Sequence, residues 1–329
     1  MSDAAAPLAV VTGASGFVGS HIVDELLLRG ARVRALVRGT SSRRWLEKKP
    51  VELADASLDD FESLRRAVVG ADWVVHAAGL LRARNPAEFH ESNVLGTERL
   101  LRAVDGGTVR RFLFVSSQAA AGPSVEGRPV DENQHPHPVS SYGESKLRAE
   151  QLVLLAEDRL PVTVIRPPAV YGPRDTAIFK IFAAGKRHIE PVLRRGGRFS
   201  IIHVSDLAVA VYALLTHEAA VGEVFFAAEP DQTNYAEMGS LVREALGTWT
   251  VPLAIPTWAL MGIALGAEAY GWLSGKAPLL TREKLREIAA GDWICSSEKI
   301  RNRLGWSPEI SLRQGIQATA DWYREAGWL

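Results

Sequence analysis

The chain has a single cysteine in 329 residues, Cys295. No intramolecular disulfide can form, and nothing calls for an oxidising compartment. It has no excess charge of either sign, since 38 Lys and Arg stand against 38 Asp and Glu. A nucleic-acid-binding surface normally shows as a basic excess, so nucleic acid is not an expected partner. No basic region precedes the first apolar run in MSDAAAPLAVVTG. That start reads as an opening strand rather than a signal peptide, and the expected location is cytoplasmic. A cluster with metal-ligand spacing is missing too. His135 and His137 flank a proline beside Asp131 and Glu132, a turn-rich setting read as the rim of a site, and no metal is expected. Long hydrophobic runs are scarce. The exception, IPTWALMGIALGAEAYGWL at 255–273, is interrupted by Glu268 and glycines, which makes it marginal as a membrane span. It is expected to be a buried helix or to touch a membrane surface peripherally.

With 47% apolar and 23% charged residues, the chain has the make-up of a folded protein with a large core. Apolar runs at 8–12, 31–38, 51–53, 72–79, 110–117 and 161–167 alternate with helical patterns. Strands buried on both faces read as continuous apolar runs, and the helices between them supply right-handed crossovers. The expected fold class is therefore α/β, a doubly wound parallel sheet of the Rossmann type with helices on both faces. Beyond Pro167 the rhythm breaks, and seven of the nine tryptophans fall from Trp249 onward. This marks a smaller, mostly helical C-terminal domain expected to bind substrate. The expected division gives 1–167 plus 199–218 to the dinucleotide, and 168–198 plus 219–329 to the substrate. The segment 199–215 is expected to add one more strand and helix to the nucleotide half.

GASGFVG at 13–19 lies between the first strand and the first helix, the setting in which a glycine pattern carries meaning. Gly13 permits the tight turn, Gly16 lets backbone approach a diphosphate, and Gly19 lets the helix pack closely on the sheet. Ser15, Phe17 and Val18 complete the turn at a helix N-terminus, whose unpaired N–H groups face negative charge. At the end of the second strand Arg38 stands where an acidic residue would select NAD, with Ser42 and Arg43 close behind. A guanidinium pairs with a ribose 2′-phosphate that a carboxylate would repel, so NADP(H) is the expected cofactor. Asp55, beside Ala56, follows the third strand and is a candidate acceptor for the adenine amino group. The small Ala77, Ala78 and Gly79 close the fourth strand, where a cofactor would cross the sheet edge.

SYGESK at 141–146 puts Tyr142 and Lys146 on one helix face. A phenol with its ordinary pKa of about 10 is a poor base at neutral pH. An adjacent ammonium favours the phenolate, which lets Tyr142 exchange a proton with a substrate oxygen while hydride moves at carbon. Lys146 is also expected to reach the nicotinamide ribose hydroxyls. Ser117 ends the fifth strand and can donate to the same substrate oxygen as charge develops there.

Together these stations resemble the extended short-chain dehydrogenase/reductase family. TGASGFVG at 12–19, HAAG at 76–79, NVLGT at 93–97, VSS at 115–117, SYGESK, RPPAVYGP at 166–173 and IIHVSDLA at 201–208 carry the resemblance across almost the whole chain. It implies Ser117, Tyr142 and Lys146 as the catalytic set and Asn93 as the residue that steadies the helix bearing them. Pro167, Pro168 and Val170 are implied as the loop over the nicotinamide. A homodimer through the helices at 85–104 and 141–158 is implied as well.

Within that family, SSQAAAGPS at 116–124 and PLLTREKLREIAAGDWICSSEKIRNRLGWSPEISLRQGI are similar to one branch. That branch holds 3-beta-hydroxysteroid dehydrogenases, sterol C4-decarboxylases and 2-alkyl-3-keto acid reductases. The resemblance implies an NADP(H)-dependent oxidoreductase that interconverts a hydroxyl and a keto group on a bulky apolar, steroid-like or long-chain substrate. Tyr142 is its acid/base, and Gln118 and Arg174 are candidate substrate contacts. The alternative is a nucleotide-sugar 4-epimerase or reductase, with Arg174, Lys186, Arg187, Arg194, Arg195 and Arg198 as candidates for the substrate diphosphate. A third reading is a dinucleotide-binding sensor without turnover, which would have no need of an activated tyrosine.

Overall fold

The computed structural model describes residues 6–192, 197–254, 256–278 and 280–329. Arg194 and Arg195, weighed above for a substrate diphosphate, and Ile255 of the apolar run lie outside the described residues. The strands β1 (Leu8–Thr12), β2 (Arg32–Val37), β3 (Val51–Asp55), β4 (Trp73–His76), β5 (Arg111–Val115) and β6 (Val162–Arg166) lie where the apolar runs place them. After them come β7 (Ala169–Tyr171), β8 (Ile189–Val192), β9 (Ile201–His203), β10 (Glu223–Phe226) and β11 (Val251–Ala254).

Seven strands form one parallel sheet in the order β10-β6-β5-β4-β1-β2-β3. The order reverses beside β1, between β2 and β4, and ligands of such sheets bind at the carboxyl ends of the strands there. Alternate residues of each strand enter opposite cores. Ala9, Val11, Leu113, Val115 and Ile165 pack on one face, while Val10, Phe112, Phe114, Val162 and Val164 pack on the other. This is why the strands read as unbroken apolar runs.

In the first half the helices are α1 (Phe17–Leu28), α2 (Phe61–Ala67), α3 (Pro86–Phe89), α4 (Gly96–Val104), α5 (Gln118–Ala121) and α6 (Ser141–Leu154). The second half has α7 (Phe179–Lys186), α8 (Val204–Thr216), α9 (Tyr235–Leu246), α10 (Thr257–Ser274), α11 (Arg282–Ala289), α12 (Glu298–Leu304) and α13 (Leu312–Glu325). Both α1 and α8 cover the first face, α2, α4 and α6 the second. A separate core of Tyr171, Phe182, Ile201, Met238, Val242, Ile316 and Tyr323 holds the smaller C-terminal region.

One expected element sits elsewhere. The strand within 199–215, β9, pairs with β7 in a two-stranded sheet, while its Ile202 and the following helix α8 pack on the first face of the main sheet. The seventh strand of the main sheet is β10, whose Phe225 and Phe226 are fully buried. After β6 the chain forms β7, α7, β8, β9 and α8 and returns to the sheet edge only at 223.

Candidate active site

A cavity of about 900 Å³ runs across the carboxyl ends of the strands. Gly13, Ser15, Gly16, Phe17, Val18 and Gly19 line its middle. Gly13 has φ +69°, a backbone conformation that favours glycine, and a Cβ there would stand 2.8 Å from the Ala77 carbonyl carbon. A Cβ on Gly19 would run into the Gly13 carbonyl. No side chain caps α1, so its first N–H groups remain to bind an anion. This cradle fits the diphosphate of a dinucleotide.

At one end of the cavity Arg38 and Ala56 are joined by Ser57, Leu58 and Asp59. A hydrogen bond from the Ser57 side chain holds the Asp59 carboxyl below the usual carboxylate range, and the charge of Arg38 adds to this. Arg38 therefore shares its end with an ionised carboxylate. Asp55, expected to meet the adenine, is exposed and does not line the cavity. The chain turns after β3 and brings Asp59 there instead.

At the other end Ser117, Tyr142, Lys146, Pro167 and Val170 line the cavity with Ala77, Ala78 and Gly79. The Ser117 Oγ accepts the Ala119 N–H at 3.1 Å, capping α5 and leaving the hydroxyl proton to donate elsewhere. Ser140 caps α6 by accepting from Gly143 N at 3.2 Å, and a Cβ on Gly143 would collide with the Ala119 carbonyl. That close approach seats Tyr142 beside Ser117. Lys146 Nζ donates to the Val115 carbonyl at 2.8 Å and stands 4.1 Å from the centre of the Phe114 ring. Burial lowers its pKa to about 7, with Glu150 opposing the shift. Burial also pushes the Tyr142 phenol up to about 12, against a hydrogen bond with Ser117 that pulls it down. The expectation that a neighbouring ammonium draws this phenol down is not met in the protein by itself, because burial of both groups outweighs it.

A layer behind the cavity ties these elements together. Asn93 lies in a π-helical turn at His90–Leu95, a kind of turn often found at functional sites. Its side chain accepts from Leu80 N at 2.7 Å and donates to Ser145 Oγ at 2.9 Å, between Tyr142 and Lys146. His76 is fully buried between Thr12 (2.8 Å) and Thr97 (2.9 Å), and burial drives its pKa down to about 3. Glu150, one turn beyond Lys146, pairs with Arg166 at 2.6 Å and bonds the Ser116 hydroxyl. None of Asp59, His76, Glu150 and Arg166 was singled out from the sequence as a site residue. HAAG and the four-residue step from Lys146 to Glu150 were the available signals for two of them.

The candidate substrate contacts lie elsewhere. Arg174, in the left-handed region at φ +71°, donates to Ser20 Oγ at 3.0 Å and Asp24 Oδ2 at 2.7 Å, so it clasps α1 and does not line the cavity. Gln118 is buried behind Ser117, with no hydrogen-bond partner for its Nε2 among the described residues. Arg198 is held by Asp292 at 2.6 Å, while Lys186 and Arg187 stand at the exposed end of α7. Among the described residues no group of three or more His, Cys, Asp or Glu is arranged to hold a metal ion.

A glycine turn under a helix start, with a serine, a tyrosine and a lysine on the same cleft of a doubly wound sheet, defines an enzyme of the extended short-chain dehydrogenase/reductase class. The profile of the NAD dependent epimerase/dehydratase family matches residues 9–228, and the chain belongs to that family. It is 30% identical to a ceramide reductase of Caulobacter vibrioides over 100% of this chain and 98% of that protein. It is 32% identical to the 4-hydroxy-2-methyl-3-oxo-4-farnesyl-3,4-dihydroquinoline-1-oxide ketoreductase of Stigmatella aurantiaca, with 96% of each covered. The solved UDP-glucose 4-epimerase of Thermus thermophilus, in complex with NAD, is 26% identical with a TM-score of 0.78, over 97% of this chain and 99% of that one.

That complex overturns the expected NADP(H) preference, because the solved relative holds NAD. Asp59 supplies the physical reason. Its carboxylate sits at the same end of the cavity as Arg38, where it would repel a 2′-phosphate.

Proposed function

We propose that the protein interconverts a hydroxyl and a keto group on a small organic substrate, with Tyr142 as acid and base. The observation that carries this is the convergence of Ser117, from the end of β5, with Tyr142 and Lys146, from α6, on the end of the cavity opposite Arg38. Gly13 to Gly19 would hold the diphosphate of NAD(H), Asp59 and Arg38 the adenosine end, and Lys146, Pro167 and Val170 the nicotinamide end. The cofactor, when bound, supplies or accepts the hydride. A phenol at about 12 is protonated at neutral pH and ready to give its proton to a carbonyl oxygen. Ser117 donates to the same oxygen, stabilising the charge that develops there.

Among substrate classes, nucleotide-sugar 4-epimerisation draws support from the family itself and from the Thermus relative. In that reaction Tyr142 takes a proton from one oxygen and returns it, and no net NADH is consumed. A second reading, reduction of a bulky apolar ketone, is favoured by the exposed aromatic side chains of α10 near the site and by the Caulobacter and Stigmatella relatives. The purified protein is given UDP-glucose or UDP-galactose with NAD in one arm and long-chain keto compounds with NADH in the other. Interconversion of the sugars without net NADH supports the first reading. Stoichiometric loss of NADH on the lipid alone supports the second, and turnover in neither arm overturns the redox proposal. A homodimer through 85–104 and 141–158 is checked by light scattering.

A further inference from the structure

The helix α10 is packed inside out. Ala264 and Gly271 are buried and Leu260 and Ala267 half-buried, so mostly small residues face the protein. Trp258, Ile263, Leu265, Tyr270, Trp272 and Leu273 are exposed, the two tryptophans at 79% and 82%. A surface helix of a globular protein normally does the reverse. At 100° per residue the exposed large side chains sweep about half of the circumference. The charged side chain on the helix, Glu268, is taken up by Arg282, which bonds it through both N and Nε at 2.8 Å.

The helix also sits beside the site. It packs on α11, whose Glu283 accepts from Ser141 Oγ at 2.7 Å, one residue before Tyr142. At its C-terminal end a Cβ on Gly275 would lie 3.9 Å from Arg84 Nη1. Arg84 is in the loop that follows Leu80 and Leu81, both of which line the cavity, and Leu81 is exposed. In the segments that meet here Arg82 and Lys276, and on the neighbouring α11 Arg286, form no ion pair among the described residues.

We propose that α10 lies in the headgroup region of an anionic lipid bilayer and seats the mouth of the cavity on the membrane surface. The exposed arc is too broad for the narrow seam by which two helices pair, which argues against a second copy as the occupant. Trp258, Tyr270 and Trp272 are exposed on this arc, and aromatic side chains on the apolar face of an in-plane helix favour the membrane–water boundary. No helix among the described residues is long and apolar enough to cross a membrane, so the helix would lie in the plane. The basic residues supply the attraction to anionic headgroups. This placement does not depend on which substrate class proves correct.

The test is flotation of the full chain with vesicles of phosphatidylcholine alone and of phosphatidylcholine mixed with phosphatidylglycerol. Wild type is expected to float with the mixed vesicles and more weakly with the neutral ones. The double variant Trp258→Glu, Trp272→Glu is expected to float at least roughly tenfold less. Its circular dichroism and NAD(H) binding should match wild type, because both side chains are exposed. Wild type that stays unbound in both mixtures, or a double variant that floats equally, overturns the proposal. So does a dimer that the double variant dissolves while no vesicle is bound, which would assign the face to a second copy. Equal binding to both vesicle types supports the apolar contact and overturns the part given to charge.

Discussion

Replacing Glu150 with glutamine keeps the shape of the side chain and removes its charge. The consequence follows from where the partner lies. The Arg166 side chain is 6% exposed and that of Glu150 1%, and the guanidinium meets both carboxylate oxygens, at 2.6 Å through Nη2 and 3.0 and 3.1 Å through Nε. Ser116 donates to the same carboxylate. One side chain thus joins α6, the end of β5 and the end of β6, which carry Tyr142, Ser117 and Pro167. Taking away one member of a buried pair leaves the other uncompensated and costs about 3–5 kcal/mol. Against a total stability of about 5–15 kcal/mol this is a large fraction. Urea unfolding followed by fluorescence reads it as a fall in midpoint at unchanged slope. The double variant Glu150→Met, Arg166→Met should recover most of the loss, since a well-packed apolar pair avoids the desolvation of two charges. A Glu150→Gln protein within about 1 kcal/mol of wild type would refute the reasoning.

Three further outcomes are expected. Glu150 raises the pKa of Lys146, so its loss should move the alkaline limb of kcat/KM to lower pH, and an unmoved limb would count against Lys146 acting as a cation. His76 has a folded pKa of about 3 against 6.5 unfolded, so the unfolded chain binds the extra proton between these values and wild type loses stability there as pH falls. His76→Gln, which lacks this titration, should show a stability deficit at neutral pH that shrinks from pH 6.5 downward; a constant deficit across urea titrations would contradict this. Asp59→Asn removes the carboxylate facing Arg38 and should lower the preference for NAD over NADP by about tenfold in binding titrations, where an unchanged ratio would reject that role for Asp59.

The sheet was legible because each strand is buried on both faces, so β1, β4, β5 and β6 appear as plain apolar runs. The glycine turn was legible because its position between a strand and a helix restricts what it can do. Short strands were not: β9 and β10 are similar apolar runs, and which of them joins the main sheet depends on contacts made across the chain. Asp59 was hidden because it lies in a turn beyond the strand end where carboxylates were sought. Arg174 follows the loop after β7, yet its long side chain reaches back to α1, a contact that no local spacing encodes. The titration of Tyr142 depends on depth of burial, which the four-residue step to Lys146 does not report. The composition of 255–273 showed an apolar helix but not that its largest residues face outward.

The central claim is that the Tyr142 phenol moves the proton that accompanies hydride transfer. The most direct test compares wild type and Tyr142→Phe in turnover of the identified substrate and, by titration, in NAD(H) affinity. The account predicts a fall in kcat of roughly 10²- to 10⁴-fold with cofactor affinity kept. Equal turnover would contradict it, as would a fall in turnover explained entirely by lost cofactor binding.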